Sequence, residues 1–123
     1  MFLVKVVPAS SRWYQAVLGA TSGHGGDHYE RLVEDGRLLL QLHKADAHEH
    51  PGVRAADAAR PGSGILLWFQ TDLFDAAVSR IGAAGAKIKE GPTVNKNARH
   101  REIWLEDPDG YSVVIAGKMG DLG

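Results

Sequence analysis

The chain carries six histidines and no cysteine. They are His24, His28, His43, His48, His50 and His100. Imidazole is the side chain whose ordinary titration falls nearest neutral pH, so proton transfer and metal binding fall first to these residues. Disulfides, thiol catalysis and Cys-ligated zinc are excluded. Three spacings stand out. Gln41 and His43 are two apart, as are His100 and Glu102, and Trp104 continues the second series. On a strand each series shares one face. A neutral imidazole at His43 can act as a general base or orient a substrate oxygen, or its ring can simply donate to a carbonyl of the fold. If the faces meet, His43, His100 and Glu102 form one catalytic set. The alternative for His100 and Glu102 is a surface ion pair with Arg99 or Arg101. His48-Glu49-His50 is the densest cluster. Histidines two apart converge only on an extended segment, and this one lies in a polar stretch that reads as a solvated loop.

Elements must position these residues. Residues 3–7 are short, apolar and β-branched, and read as a strand that Pro8 ends. Ser10 or Ser11 then caps a helix to about Leu18, with Trp13, Tyr14, Val17 and Leu18 on its apolar face and Gly19 as its stop. The glycine-rich TSGHGG that follows has at most a short edge strand. In residues 28–34, Tyr29, Arg31 and Val33 alternate with His28, Glu30 and Leu32. Asp35-Gly36 is a two-residue turn, and residues 37–44 return with Leu38, Leu40 and Leu42 on one face and Leu39, Gln41 and His43 on the other. Residues 45–63 read as a polar linker, with a helical turn possible near 53–59.

The order then restarts. Residues 64–71 (GILLWFQT) read as a strand buried on both sides. Asp72 caps a second helix with Asp75 at the capping-box position, and Phe74, Ala77, Val78 and Ile81 have the spacing of a face turned to a sheet. Gly85 ends it. Short strands are expected at 86–90, 100–106 and 111–116, the last two joined by a type I turn at Asp107-Pro108-Asp109-Gly110. Residues 117–123 are expected to fray. Strand ends at Val7 and Thr71, helix stops at Gly19 and Gly85, and Asp-Gly pairs at 35–36 and 109–110 mark a weak internal repeat.

Three segments give that repeat a family likeness. SSRWYQAVLG (10–19), WFQTDLFDAAVSRIGAAGAKI (68–88) and REIWLEDPDGYSVVIAG (101–117) together resemble the vicinal oxygen chelate superfamily of glyoxalases, bleomycin-resistance proteins and extradiol dioxygenases. The resemblance implies an α+β single domain over residues 1–123. Two paired βαβββ modules, about 1–50 and 64–117, would curl a mixed and antiparallel sheet into a U-shaped cup, with the linker at about 45–63. It also implies a homodimer and a divalent metal held from four places. At the first this chain offers Phe2 or Leu3, at the third Gly64 or Ile65, and at the fourth Val114; none can bind a metal. Only the second, with Gln41 and His43, offers ligands, and a tight divalent site needs three or four. No cofactor is therefore expected, and His43 is the only metal candidate at the usual positions; a relocated divalent metal stays possible.

Trp68 and Trp104 either line an apolar ligand pocket or belong to the core. The polar segment TVNKNARHRE (93–102) reads as a lid whose Asn95, Asn97, Arg99 and Arg101 receive an anionic or oxygen-rich ligand, or as an ordinary exposed loop. With Gln41, these are the expected ligand-binding residues. The net charge of −1 gives no electrostatic case for nucleic acid or an anionic membrane, and no apolar run suits a bilayer. A cytoplasmic protein is expected. Three functions remain open. The chain sequesters a small organic ligand without metal. Alternatively it is a metal-dependent lyase, isomerase or dioxygenase using His43, His100 and Glu102. Thirdly, it is a metal-free enzyme in which His43 or Glu102 does acid–base work.

Overall fold

The computed structural model describes residues 2–45 and 65–123. The linker expectations, His48, His50 and Gly64 lie outside them. In chain order the elements are β1 (Phe2–Val4), α1 (Val7–Leu18), β2 (Thr21–Ser22), β3 (Tyr29–Glu34), β4 (Arg37–Lys44), β5 (Leu66–Thr71), α2 (Phe74–Ala84), β6 (Lys87–Asn95), β7 (His100–Glu106) and β8 (Ser112–Gly117). They form two four-stranded sheets, ordered β1-β4-β3-β2 and β5-β8-β7-β6. In each sheet the first strand of the module pairs in parallel with the last, and the other pairings are antiparallel. This is the α+β pairing of two βαβββ modules.

Local chemistry explains the boundaries. Asp35 and Gly36 both have positive φ (50° and 76°), as the tight turn between β3 and β4 requires. Gly19 and Gly85 close the helices in the left-handed conformation. The expected caps differ from those observed. The first strand stops at Val4, and α1 begins at Val7 with Pro8 in its first turn, where a missing N–H costs nothing. Ser10 and Ser11 lie inside the helix, buried. Likewise Leu73, not Asp72, precedes α2, and its N–H donates to Thr71 Oγ1 at 3.0 Å.

One apolar cluster spans both modules. Val4, Val7, Tyr14, Val17, Leu32, Leu40 and Leu42 meet Phe74, Ala77, Ile81, Ile103, Leu105, Val113 and Ile115 in it. Each such side chain, fully buried, stabilises the fold by about 1.5–3 kcal/mol. Three expectations need correction. β5 is not buried on both sides: Leu66 and Trp68 are 47% and 46% exposed, because the strand is an edge strand with one face turned from the core. β6 runs on past Gly91-Pro92, whose peptide is cis, to Asn95. Residues 93–102 are therefore a sheet hairpin rather than a lid. The tail does not fray: Gly120 donates to the Arg99 carbonyl at 2.7 Å, and Asp121 accepts from Arg101 Nη2 at 3.0 Å.

Polar groups lock the modules. Tyr14 of α1 donates to Asp107 Oδ2 at 2.8 Å, and Asp107 Oδ1 accepts the amides of Asp109 (2.9 Å) and Tyr111 (2.8 Å). Asp109 in turn accepts from Lys5 N (3.1 Å) and Ser10 Oγ (3.2 Å), and the Tyr111 hydroxyl donates to the Leu3 carbonyl at 2.6 Å. Burial pushes the Asp107 carboxyl above the usual carboxylate range despite these donors. Burial likewise raises Tyr14, with Asp107 adding to it, and takes the Tyr111 phenol up to about 12.

Glu30 is the second buried carboxylate. It accepts from Ser11 Oγ (2.9 Å), Ser22 Oγ (2.7 Å) and the amides of His24 (3.1 Å) and Gly25 (2.8 Å), so it organises the glycine-rich loop. Burial opposes its charge, but these donors outweigh burial and hold its pKa below the ordinary value.

Two predictions follow from these groups. Tyr14→Phe removes a donor from a buried carboxylate and should cost about 1.5–3 kcal/mol in urea unfolding, without changing the urea dependence. Glu30→Gln should cost about 1–2 kcal/mol at neutral pH. Because the folded pKa of Glu30 lies below the unfolded one, its contribution is complete above the ordinary carboxyl range and is lost as pH falls through the folded value. The gap between wild type and Glu30→Gln should thus narrow on acidification; a gap that widens would contradict the assignment.

Candidate functional site

β7 alternates between two environments. Ile103 and Leu105 join the core, so His100, Glu102 and Trp104 point to the opposite face of the second sheet. The register builds the rest. Trp104 stands opposite Val114 of β8, which stands opposite Trp68 of β5; Glu102 stands opposite Ala116 and Thr93, and His100 opposite Asn95. Residues directly opposite share a face. Two tryptophans therefore flank a fully buried Val114, and Glu102 lies one step along. Gly91 lets β6 pass close to β7 here: a Cβ on it would sit 2.8 Å from the Glu102 carbonyl oxygen.

Glu102 is 7% exposed and ionised. Its Oε2 accepts from His100 Nε2 at 2.9 Å, and its Oε1 from Trp104 Nε1 (3.2 Å) and Asn95 Nδ2 (3.3 Å). Burial works against the charge, and the three donors outweigh it, holding the pKa below the ordinary value. A carboxylate can only accept, so the proton of a neutral His100 ring belongs on Nε2. The Trp68 ring lies 5.5 Å from the His100 ring, tilted by 58°. Half of Trp68 remains exposed beside an imidazole whose side chain is only 11% exposed. The structure thus brings together five residues of the sequence reading: Trp68, Asn95, His100, Glu102 and Trp104.

Others are placed elsewhere. His43 lies in the first sheet, opposite Leu3 and Tyr29, and is 5% exposed. Its Nδ1 donates to the Lys44 carbonyl at 2.9 Å. Gln41 donates to the Tyr29 hydroxyl at 2.9 Å, and the Tyr29 ring meets His24 edge-on at 4.9 Å. The expected joining of His43 with His100 and Glu102 into a metal-holding set does not occur: among the described residues no three His, Asp or Glu side chains form such a group. Arg101, expected to bind ligand, points to the helix side, as its odd number among β7 residues dictates. It pairs with Asp75 (2.7 Å) and Asp121 (3.0 Å) and lies over the Phe74 ring. Arg99 is exposed at a turn with φ of 56°, its amide bonded to the Asn95 carbonyl at 2.8 Å. The surface ion pair of His100 or Glu102 with Arg99 or Arg101 does not form; His100 and Glu102 pair with each other.

The family's metal does not fit the side chains present. Leu3 is aliphatic and buried, Ile65 and Leu66 at the head of β5 are apolar, and Val114 is fully buried.

Sequence reasoning missed Glu30 and Tyr29. The signal for Glu30 was present, since it shares a strand face with the core residue Leu32, where a charge must be satisfied internally. It also missed a groove between the modules, lined by Val17, Leu39, Phe69, Leu73, Ala77 and Arg80. No side chain of the Glu102 cluster lines that groove.

Comparison with known proteins agrees with this architecture. The family model described as the Glyoxalase/Bleomycin resistance protein/Dioxygenase superfamily matches residues 1–115. The "Virulence protein STM3117" of Salmonella typhimurium is 28% identical over 115 residues, covering 92% of this chain and 77% of that protein. Its crystal structure superposes with a TM-score of 0.70 at 25% identity, over 96% of this chain and 92% of that one. A glyoxalase/dioxygenase from Nostoc punctiforme gives 0.67 at 24% identity, covering 95% and 86%. The fosfomycin resistance protein FosX from Mesorhizobium loti gives 0.64 at 16% identity, covering 96% and 87%. The last two likenesses speak for the fold alone. The chain belongs to the glyoxalase/bleomycin resistance protein/dioxygenase superfamily.

Proposed function

We propose that this protein binds a small organic ligand against the exposed ring of Trp68, beside the Glu102 cluster of its second sheet, without the metal site usual in its family. The observation that carries the proposal is the Glu102 cluster. A buried carboxylate away from the core, held by three side-chain donors, one of them an imidazole that lies against a half-exposed indole, is costly to build. Core packing does not require it. An aromatic wall with a few fixed polar groups is the usual makeup of a small-molecule site. That Leu3, Leu66 and Val114 stand at or beside the family's metal positions supports the metal-free form. The working unit in this proposal is a homodimer in the cytoplasm, in which a second copy covers the apolar edge left by Ile65 and Leu66.

The test is ligand binding to purified, tag-free protein, read by the indole N–H signals of Trp68 and Trp104 against a panel of planar aromatic compounds. Trp68→Ala should weaken any such ligand by about tenfold, since a lost aromatic contact costs on the order of 1–1.5 kcal/mol. Its fold should be preserved, since the ring is half-exposed. Metal analysis accompanies it: stoichiometric metal that is lost in His43→Ala would overturn the metal-free reading. Retention of full affinity by Trp68→Ala would move the ligand off this face.

A further inference from the structure

The Glu102 cluster contains a directional element. His100 Nε2 is committed as a donor to Glu102 Oε2. Glu102 cannot turn away, because its other oxygen is held by Trp104 Nε1 and Asn95 Nδ2. The remaining ring nitrogen, Nδ1, makes no hydrogen bond among the described residues. Nor is it sealed off: Arg101 Nε is the only buried and unpartnered side-chain nitrogen or oxygen among them. Nδ1 therefore keeps some solvent access, the half-exposed Trp68 ring lies 5.5 Å from the imidazole, and in the neutral ring Nδ1 offers a lone pair. The sheet here is apolar and closed to solvent: Val114 and Ala116, in the register rows of Trp104 and Glu102, are 0% and 1% exposed. The half-exposed Trp68 ring favours a flat ligand, and apolar surroundings strengthen any hydrogen bond made beside it.

We propose that His100 is the proton acceptor for a planar hydroxy-aromatic ligand seated against Trp68, and that Glu102 is the positioning residue that fixes its tautomer. This rests on the ligand face proposed above. The ligand's O–H bond breaks, its electron pair stays on the ligand oxygen, and the proton moves to His100 Nδ1. The imidazolium so formed keeps its Nε2–H on the Glu102 carboxylate, which offsets the new positive charge. No other reactant is needed. The product is a bound aryloxide, an activated form of the ligand.

The probe is para-nitrophenol, whose anion is yellow, with para-nitroanisole as the analogue that has no proton to give. Binding to the full chain is followed by equilibrium dialysis and the colour by absorbance across pH. Bound nitrophenol should turn yellow about one pH unit below the free dye, a tenfold shift in its ionisation. His100→Gln should bind the dye within about threefold of wild type, yet return the colour change to the free-dye pH. Glu102→Gln should lose most of the shift. In the unliganded wild type, nitrogen-15 spectra should show His100 protonated on Nε2 and bare on Nδ1; this needs no variant to fold. A His100 ring protonated on Nδ1 alone would overturn the proposal. So would a bound dye that titrates as in water, or a colour shift that survives His100→Gln. Those results leave the ligand face standing, whereas failure of both nitrophenol and nitroanisole to bind would remove the ligand face and the proton acceptor together.

Discussion

Asp107 is where the second module takes hold of the first. Its carboxylate accepts the Tyr14 hydroxyl from α1 and two amides of its own turn. The turn so shaped presents Asp109 to Lys5 and Ser10, and Tyr111 to Leu3. Every one of these contacts joins residues about a hundred positions apart or shapes the turn that makes them. The apolar cluster can be continuous across both modules because this polar lock sets the start of α1 against the β7–β8 turn. The lock is costly by itself, since it buries a carboxylate and two phenols. It persists because each is hydrogen-bonded, which a buried polar group requires.

The same rule recurs at Glu30 and Glu102 with different consequences. Glu30 spends its acceptor capacity on a loop of its own module, tying Ser22, His24 and Gly25 to α1 through Ser11. Glu102 spends its capacity on side chains of β6 and β7 on the face turned from the core. The first use is structural, because its partners are a buried serine of α1 and the glycine-rich loop that it ties to that helix. The second leaves an imidazole nitrogen without a hydrogen bond among the described residues and an indole half-exposed beside it, which packing alone does not explain. Arg101 shows the reverse outcome. It is a charged residue beside the site in sequence, yet Asp75, Asp121 and the Phe74 ring occupy it on the helix side.

Family membership and family chemistry separate in this chain. Its modules, their strand order and their closing hairpins are those of the superfamily. Three of the four positions from which a metal would be held carry aliphatic side chains, and a hydrogen-bonded polar cluster stands on β7. A shared fold positions strands; the side chains standing on them decide what a face can bind.

Much of this was legible from the residues alone. The Asp35-Gly36 turn, the stops at Gly19 and Gly85, the apolar face of α2 and the shared face of His100, Glu102 and Trp104 follow from local backbone preference and strand or helix period, which a sequence carries directly. The caps of both helices did not, because Ser10, Ser11 and Asp75 found partners in distant elements rather than at their own helix ends. That Trp68 reaches His100, that Asn95 bonds Glu102, and that His43 stays apart from both were decided by tertiary structure. Those outcomes depend on the register of β5 against β8 and of β6 against β7, and on which sheet each strand joins. Period two tells which residues of one strand share a face, but the neighbour across the sheet is chosen by packing between segments far apart in the chain.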